Sequence, residues 1–130
     1  MERVVFLLAG LNGLLGVTLG AFGAHGLQAR LAGAADAAQR LGWWETAAHY
    51  QLVHAIALGL CAHLFARGGS TAASAAGYCF AAGIAVFSGS LYAMTLSGMR
   101  GLGAITPIGG LLLLAGWVAF LIAAWGIRAR

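Results

Sequence analysis

Four uninterrupted apolar stretches decide what this chain can become: Val4 to Ala24, Thr46 to Ala66, Ala72 to Leu96 and Pro107 to Ile127. A hydrocarbon core of about 30 Å takes on the order of 20 helical residues to cross, and each stretch is that long. None alternates apolar and polar residues as a lipid-facing barrel strand does. The spans are therefore expected to be helices, whose backbone groups are bonded within the segment. With 62% hydrophobic residues, 8% charged residues and a mean hydropathy of +0.91, the chain lies outside the balance of soluble domains. The expected fold is all-α: one domain over residues 1–130, four transmembrane helices in an antiparallel bundle. Any chemistry would then occur within the bundle or at its rims.

The N-terminal stretch has the general outline of a secretory signal peptide, with a basic residue, an apolar run and small residues at Ala21 to Ala24. Its apolar run is long enough to span, so it is read as a retained helix. Gly68, Gly69 and Ser70 predict a tight turn between the second and third spans. Ser97 to Thr106, with Gly98, Gly101 and Gly103, joins the third to the fourth. Pro107 suits the first turn of the fourth helix, with Thr106 before it as N-cap. The long connection from His25 to Glu45 carries Leu27, Leu31, Ala35, Ala38 and Leu41 at helical spacing, which would suit a short interfacial helix. Trp43 and Trp44 would anchor the second span in an aromatic belt.

With an even number of spans both termini share a side with the Gly68 turn. That side holds Arg3, Arg67, Arg128 and Arg130, against Arg30, Arg40 and Arg100 on the other. The positive-inside rule leans toward cytoplasmic termini, by one residue. A formal charge of +4 spread over these flanks forms no basic stripe, so nucleic acid is not an expected partner. Cys61 and Cys79 lie inside spans with no CxxC spacing and read as small core residues. Close approach between helices would come from glycine: Gly16 and Gly20 at GxxxG spacing in the first span, and Gly109, Gly110 and Gly116 in the fourth.

With few exceptions the polar residues deep in the spans fall toward one end, while His63 lies near the other end of the second helix. Thr46, Tyr50 and His54 stack along one face of the second helix; Ser88, Tyr92 and Thr95 follow the i, i+4, i+7 rule on the third, with Ser90 displaced around it. In an up-and-down bundle His25, these residues and Thr106 share one membrane side. Unpaired polar groups in hydrocarbon cost several kcal/mol each (about 2–7), so they should point inward and bond one another, either to glue the helices or to form a site. Glu45 and His49, at i, i+4, resemble part of a metal site to which His25 could add a third ligand; an ordinary helix pair has the same spacing. Haem would need opposed ligands, which only His25 and the second helix offer.

The run Gly20-Ala21-Phe22-Gly23-Ala24-His25-Gly26, then Tyr50-Gln51 with His54, Phe87-Ser88-Gly89-Ser90-Leu91-Tyr92, and Thr106-Pro107-Ile108-Gly109-Gly110 before Gly116-Trp117 resembles the YgdD/YwdK-type family of small bacterial inner-membrane proteins of unknown function, over nearly the whole chain. A more distant similarity reaches small eukaryotic transmembrane proteins. The resemblance implies a four-helix inner-membrane protein and supplies no activity or cofactor. Its pattern includes His25, Tyr50, Gln51, His54, Ser88, Ser90, Tyr92, Thr106 and Pro107, but not Glu45 or His49. Three classes stay open. The favoured one is a non-catalytic subunit or assembly factor packing against a membrane-protein partner or a second copy. The next is an oligomeric protein that binds or transports a small solute, proton or lipid headgroup. The last is an intramembrane metal or haem binder. No cofactor is expected under the first, and an enzyme is not expected.

Overall fold

A computed structural model of the chain describes residues 2–68 and 70–127. Gly69 in the second turn, and Arg128 and Arg130 in the charge balance, lie outside the described residues. Helix α1 (Glu2–Phe22) runs on through a π-helical turn (Gly23–Leu27) and a last α-helical turn (Gln28–Arg30). Helices α2 (Ala37–Ala66), α3 (Thr71–Ser97) and α4 (Thr106–Trp125) follow, with a 3₁₀ turn (Arg100–Ala104) before α4. All four rods are long and apolar enough to cross a membrane, and no strand occurs among the described residues. Each helix packs antiparallel on the next: α2 lies between α1 and α3, and α3 lies between α2 and α4.

The connection after the first span is helical, but its helical residues are continuous with the rods on either side. The reversal is confined to residues 31–36, where Gly33 takes φ 89°, a left-handed conformation that suits glycine. Leu27, Leu31 and Trp44 explain this arrangement. They bury one another, with Leu19, Ala37 and Leu41 against them, so apolar groups that would suit an interfacial helix form a core between the extended ends. Trp44 is 3% exposed and is a core residue instead of part of a belt.

Sequence cues at the other ends are partly met. Ser70 caps α3, its hydroxyl accepting from the Ala73 N–H at 3.0 Å, and Gly98 (φ 73°) ends that helix in the left-handed region. Thr106 does not cap α4. Ile105 holds the cap position, Thr106 begins the helix, and its hydroxyl meets Ser90 on α3.

The predicted packing glycines resolve into two seams within one chain. A Cβ on Gly16 would strike the Leu52 side chain, and one on Gly20 would touch Ala48, both on α2. Between α3 and α4, Gly109 lies against the Phe87 backbone and Gly116 against the Phe80 ring, whereas Gly110 makes only an ordinary approach to Phe87. Gly83 receives Leu113 in the same seam. Here glycine removes bulk where two backbones meet, the route to tight packing when lipid replaces water around a helix.

At the connector end Arg40 fastens α2 to the last turn of α3. Its Nε donates to Thr95 O (2.7 Å) and its Nη2 to Leu96 O (3.2 Å), and the Thr95 hydroxyl donates back to Arg40 O (3.0 Å). A cation on terminal carbonyls complements the helix dipole. Arg40→Met keeps the stem but removes both donors, so it should lower unfolding stability by about 1–2 kcal/mol, read by thermal unfolding in detergent; no change would mean that water serves those carbonyls equally well.

Candidate functional site

The i, i+4, i+7 stripe of α3 meets α2 at three levels. Ser88 donates to Ala47 O (2.8 Å), Tyr92 to Gln51 Oε1 (2.8 Å) and Thr95 to Arg40 O. From Gln51 the bonding continues to the first helix. Its Nε2 donates to Asn12 Oδ1 (3.2 Å), and Asn12 Nδ2 donates to Leu8 O (2.9 Å). The orientation is fixed from that end. A backbone carbonyl only accepts, so Asn12 must turn its NH₂ to Leu8 and its oxygen to Gln51. Gln51 must then present nitrogen to Asn12 and oxygen to Tyr92, whose hydroxyl is left to donate. One relay therefore joins three helices.

His54 is bonded on both ring nitrogens. Nδ1 lies 2.8 Å from Tyr50 O, and Nε2 accepts from the Trp117 indole N–H at 3.1 Å. A carbonyl on one side and an N–H donor on the other select the neutral ring carrying hydrogen on Nδ1. Phe80 and Trp117 pack beside the imidazole, with ring centroids at 5.5 and 6.0 Å. Ser90 donates to Phe87 O (2.9 Å), which uses its only proton, so Thr106 donates to Ser90 across 2.7 Å. Among the described residues no buried side-chain nitrogen or oxygen lacks a partner.

His25 stands apart from this network, exposed in the π-helical turn. Glu45 and His49 are exposed on α2, and among the described residues no three His, Cys, Asp or Glu side chains converge to hold a metal. The proposed set of His25, Glu45 and His49 is therefore corrected: i, i+4 spacing aligned two of them on a helix but brought no third ligand to them. Cys61 is buried and Cys79 half-buried, both as free thiols.

Tyr50 is 40% exposed and faces a groove of about 730 Å³ between α2 and α4. Its lining includes His49, Val53, Phe87, Pro107, Leu114 and Trp117. The groove exists because α2 and α4 scarcely touch, both leaning on α3.

Three contributors were not identified from sequence. Asn12 was accessible in principle, because a lone amide within an apolar run demands a partner at that depth. Trp117 carries the His54 bond from 63 positions away, a pairing no local pattern reveals. Trp44 donates to Leu19 O at 2.7 Å, approaching the first helix over Gly23, where a Cβ would overlap the indole.

These features define a four-helix membrane protein whose interior polar groups are bonded to one another. Residues 19–110 match the family described as protein of unknown function (DUF423), and the chain belongs to that family. It is 38% identical over 123 residues to the UPF0382 membrane protein YwdK of Bacillus subtilis (strain 168), covering 94% of this chain and 96% of that one. A UPF0382 membrane protein of Staphylococcus epidermidis (strain ATCC 12228 / FDA PCI 1200) is 41% identical over 121 residues, covering 93% and 94%. No solved structure matches the chain.

Proposed function

We propose that the protein is a non-catalytic accessory or assembly subunit of the bacterial inner membrane, docking a partner helix on the outer face of α1, with its termini in the cytoplasm. The observation that carries this reading is the closed polar network. Gln51, His54, Ser88, Ser90, Tyr92 and Thr106 are bonded to one another, to Asn12 and Trp117, or to backbone carbonyls, and among the described residues no buried side-chain nitrogen or oxygen is left without a partner for a passing solute to satisfy. Such a network holds helices in register. The face of α1 away from α2 supports the partner. Leu7, Gly10, Leu14 and Val17 follow one another at helical spacing, the three large residues are exposed, and neither Gly10 nor the adjacent Gly13 meets anything within 4 Å. Small residues there admit a second backbone. The arginine balance supports the orientation.

In Gly10→Ile with Gly13→Ile the first side-chain carbon at each position meets nothing within 4 Å, so the double variant is expected to unfold near the wild-type temperature. Native mass spectrometry after gentle extraction should show wild type bound to a stoichiometric second polypeptide and the variant without it. Wild type extracted alone, or a variant that retains its partner, would overturn the assignment.

A further inference from the structure

On the connector-side half Gln51, His54, Ser88, Ser90, Tyr92 and Thr106 are bonded inside the protein, whereas His49 and the Tyr50 hydroxyl, adjacent on α2, make no side-chain hydrogen bond among the described residues. Both line the mouth of the groove between α2 and α4. The Tyr50 ring rests on Phe87 with centroids 4.5 Å apart, which fixes where its hydroxyl stands. His49 lies three residues inside the apolar stretch that begins at Thr46, about 5 Å along the helix at 1.5 Å per residue, near the connector-side end of that stretch.

Below that mouth the walls are apolar. Leu111 and Leu114 are 66% and 63% exposed, and Val53 40%, so the groove opens sideways to lipid. It ends where Trp117 closes onto His54, backed by Phe80 and Phe120. From Pro107 to Trp117 it follows α4 for about three turns, about 15 Å of helix, half of a hydrocarbon core of about 30 Å. A groove confined to one leaflet does not suit a transmembrane helix, which would continue past the closed end. It suits one acyl chain.

We infer that this groove is a binding site for a bilayer glycerophospholipid of the connector-side leaflet: one acyl chain lies along α4 down to Trp117, and its ester or phosphate oxygens accept hydrogen bonds from His49 and Tyr50. The site does not depend on the partner reading of α1, which concerns the opposite edge of the bundle.

The test is photolabelling of the full chain in phosphatidylglycerol and phosphatidylethanolamine vesicles doped with a phospholipid bearing a diazirine on its acyl chain, with the labelled residues mapped by mass spectrometry. Labelling of Val53 and of residues 111–117 should exceed that of the outer face of α1 by about tenfold, the weight of about 1.4 kcal/mol. Leu114→Trp, at a position already open to lipid, should remove that excess and leave α1 labelling unchanged; Val53→Trp fills the groove from the other wall and should do the same. His49→Ala with Tyr50→Phe should reduce the excess roughly fivefold. Equal labelling of α1 and the groove, or an excess that survives both tryptophan variants, would overturn the assignment.

Discussion

Gly109→Ala is expected to destabilise the protein by about 3 kcal/mol, although alanine is the better helix former by nearly 1 kcal/mol. The added Cβ would fall 2.6 Å from Phe87 Cα and 2.7 Å from its Cβ. Most of that obstacle is backbone, which cannot swing aside as a side chain can. Relief requires α4 to move off α3, and the same movement loosens Leu113 over Gly83 and Phe80 over Gly116. The neighbouring position supplies the control. At Gly110 a Cβ would meet the Phe87 ring at 3.8 Å, an ordinary contact, so Gly110→Ala should stay within about 0.5 kcal/mol of wild type. Unfolding of both variants in detergent, by heat or by denaturing detergent, separates them. Equal behaviour would mean that the seam yields and that close packing at Gly109 does not hold these helices together.

The contrast between these glycines also marks how much was legible in the sequence. Composition and span length determine that four helices cross a membrane, because a bilayer core accepts few other arrangements of such segments. The GxxxG pair and the fourth-span glycines signalled close approach, but not which helix would approach or that Gly110 would matter less than Gly109; that depends on how α4 is rotated on α3. Helix ends were less legible. Leu27, Leu31 and Trp44 have the composition of an interfacial segment and are buried only because two rods extend far enough to pair. At the site, the spacing of Ser88, Tyr92 and Thr95 defined a stripe from local geometry alone. Two of their three acceptors, the Ala47 and Arg40 carbonyls, are backbone atoms that every residue carries and that sequence cannot distinguish. His25, Glu45 and His49 show the converse, because ligand-like residue types at ligand-like spacing carry no information about convergence.

Gln51→Leu is expected to cost about 3 kcal/mol, and the size of the loss identifies its cause. An interhelical hydrogen bond in a membrane protein is worth about 0.6 kcal/mol on average, so losing the bonds to Tyr92 and Asn12 accounts for little more than about 1 kcal/mol. The larger figure comes from what the leucine leaves behind: a Tyr92 hydroxyl and an Asn12 carbonyl oxygen with no partner in a low-dielectric interior, each costing about 1–3 kcal/mol. Removing those groups as well should therefore restore stability. The triple variant Asn12→Leu, Gln51→Leu, Tyr92→Phe has fewer native hydrogen bonds than the single variant, yet should unfold at a higher temperature, because replacing all the partners with apolar groups leaves nothing unpaired. Measuring the single, double and triple variants in one detergent gives the coupling directly. If the triple variant is no more stable than Gln51→Leu alone, the three residues act through packing, and the relay is not what keeps α1, α2 and α3 in register.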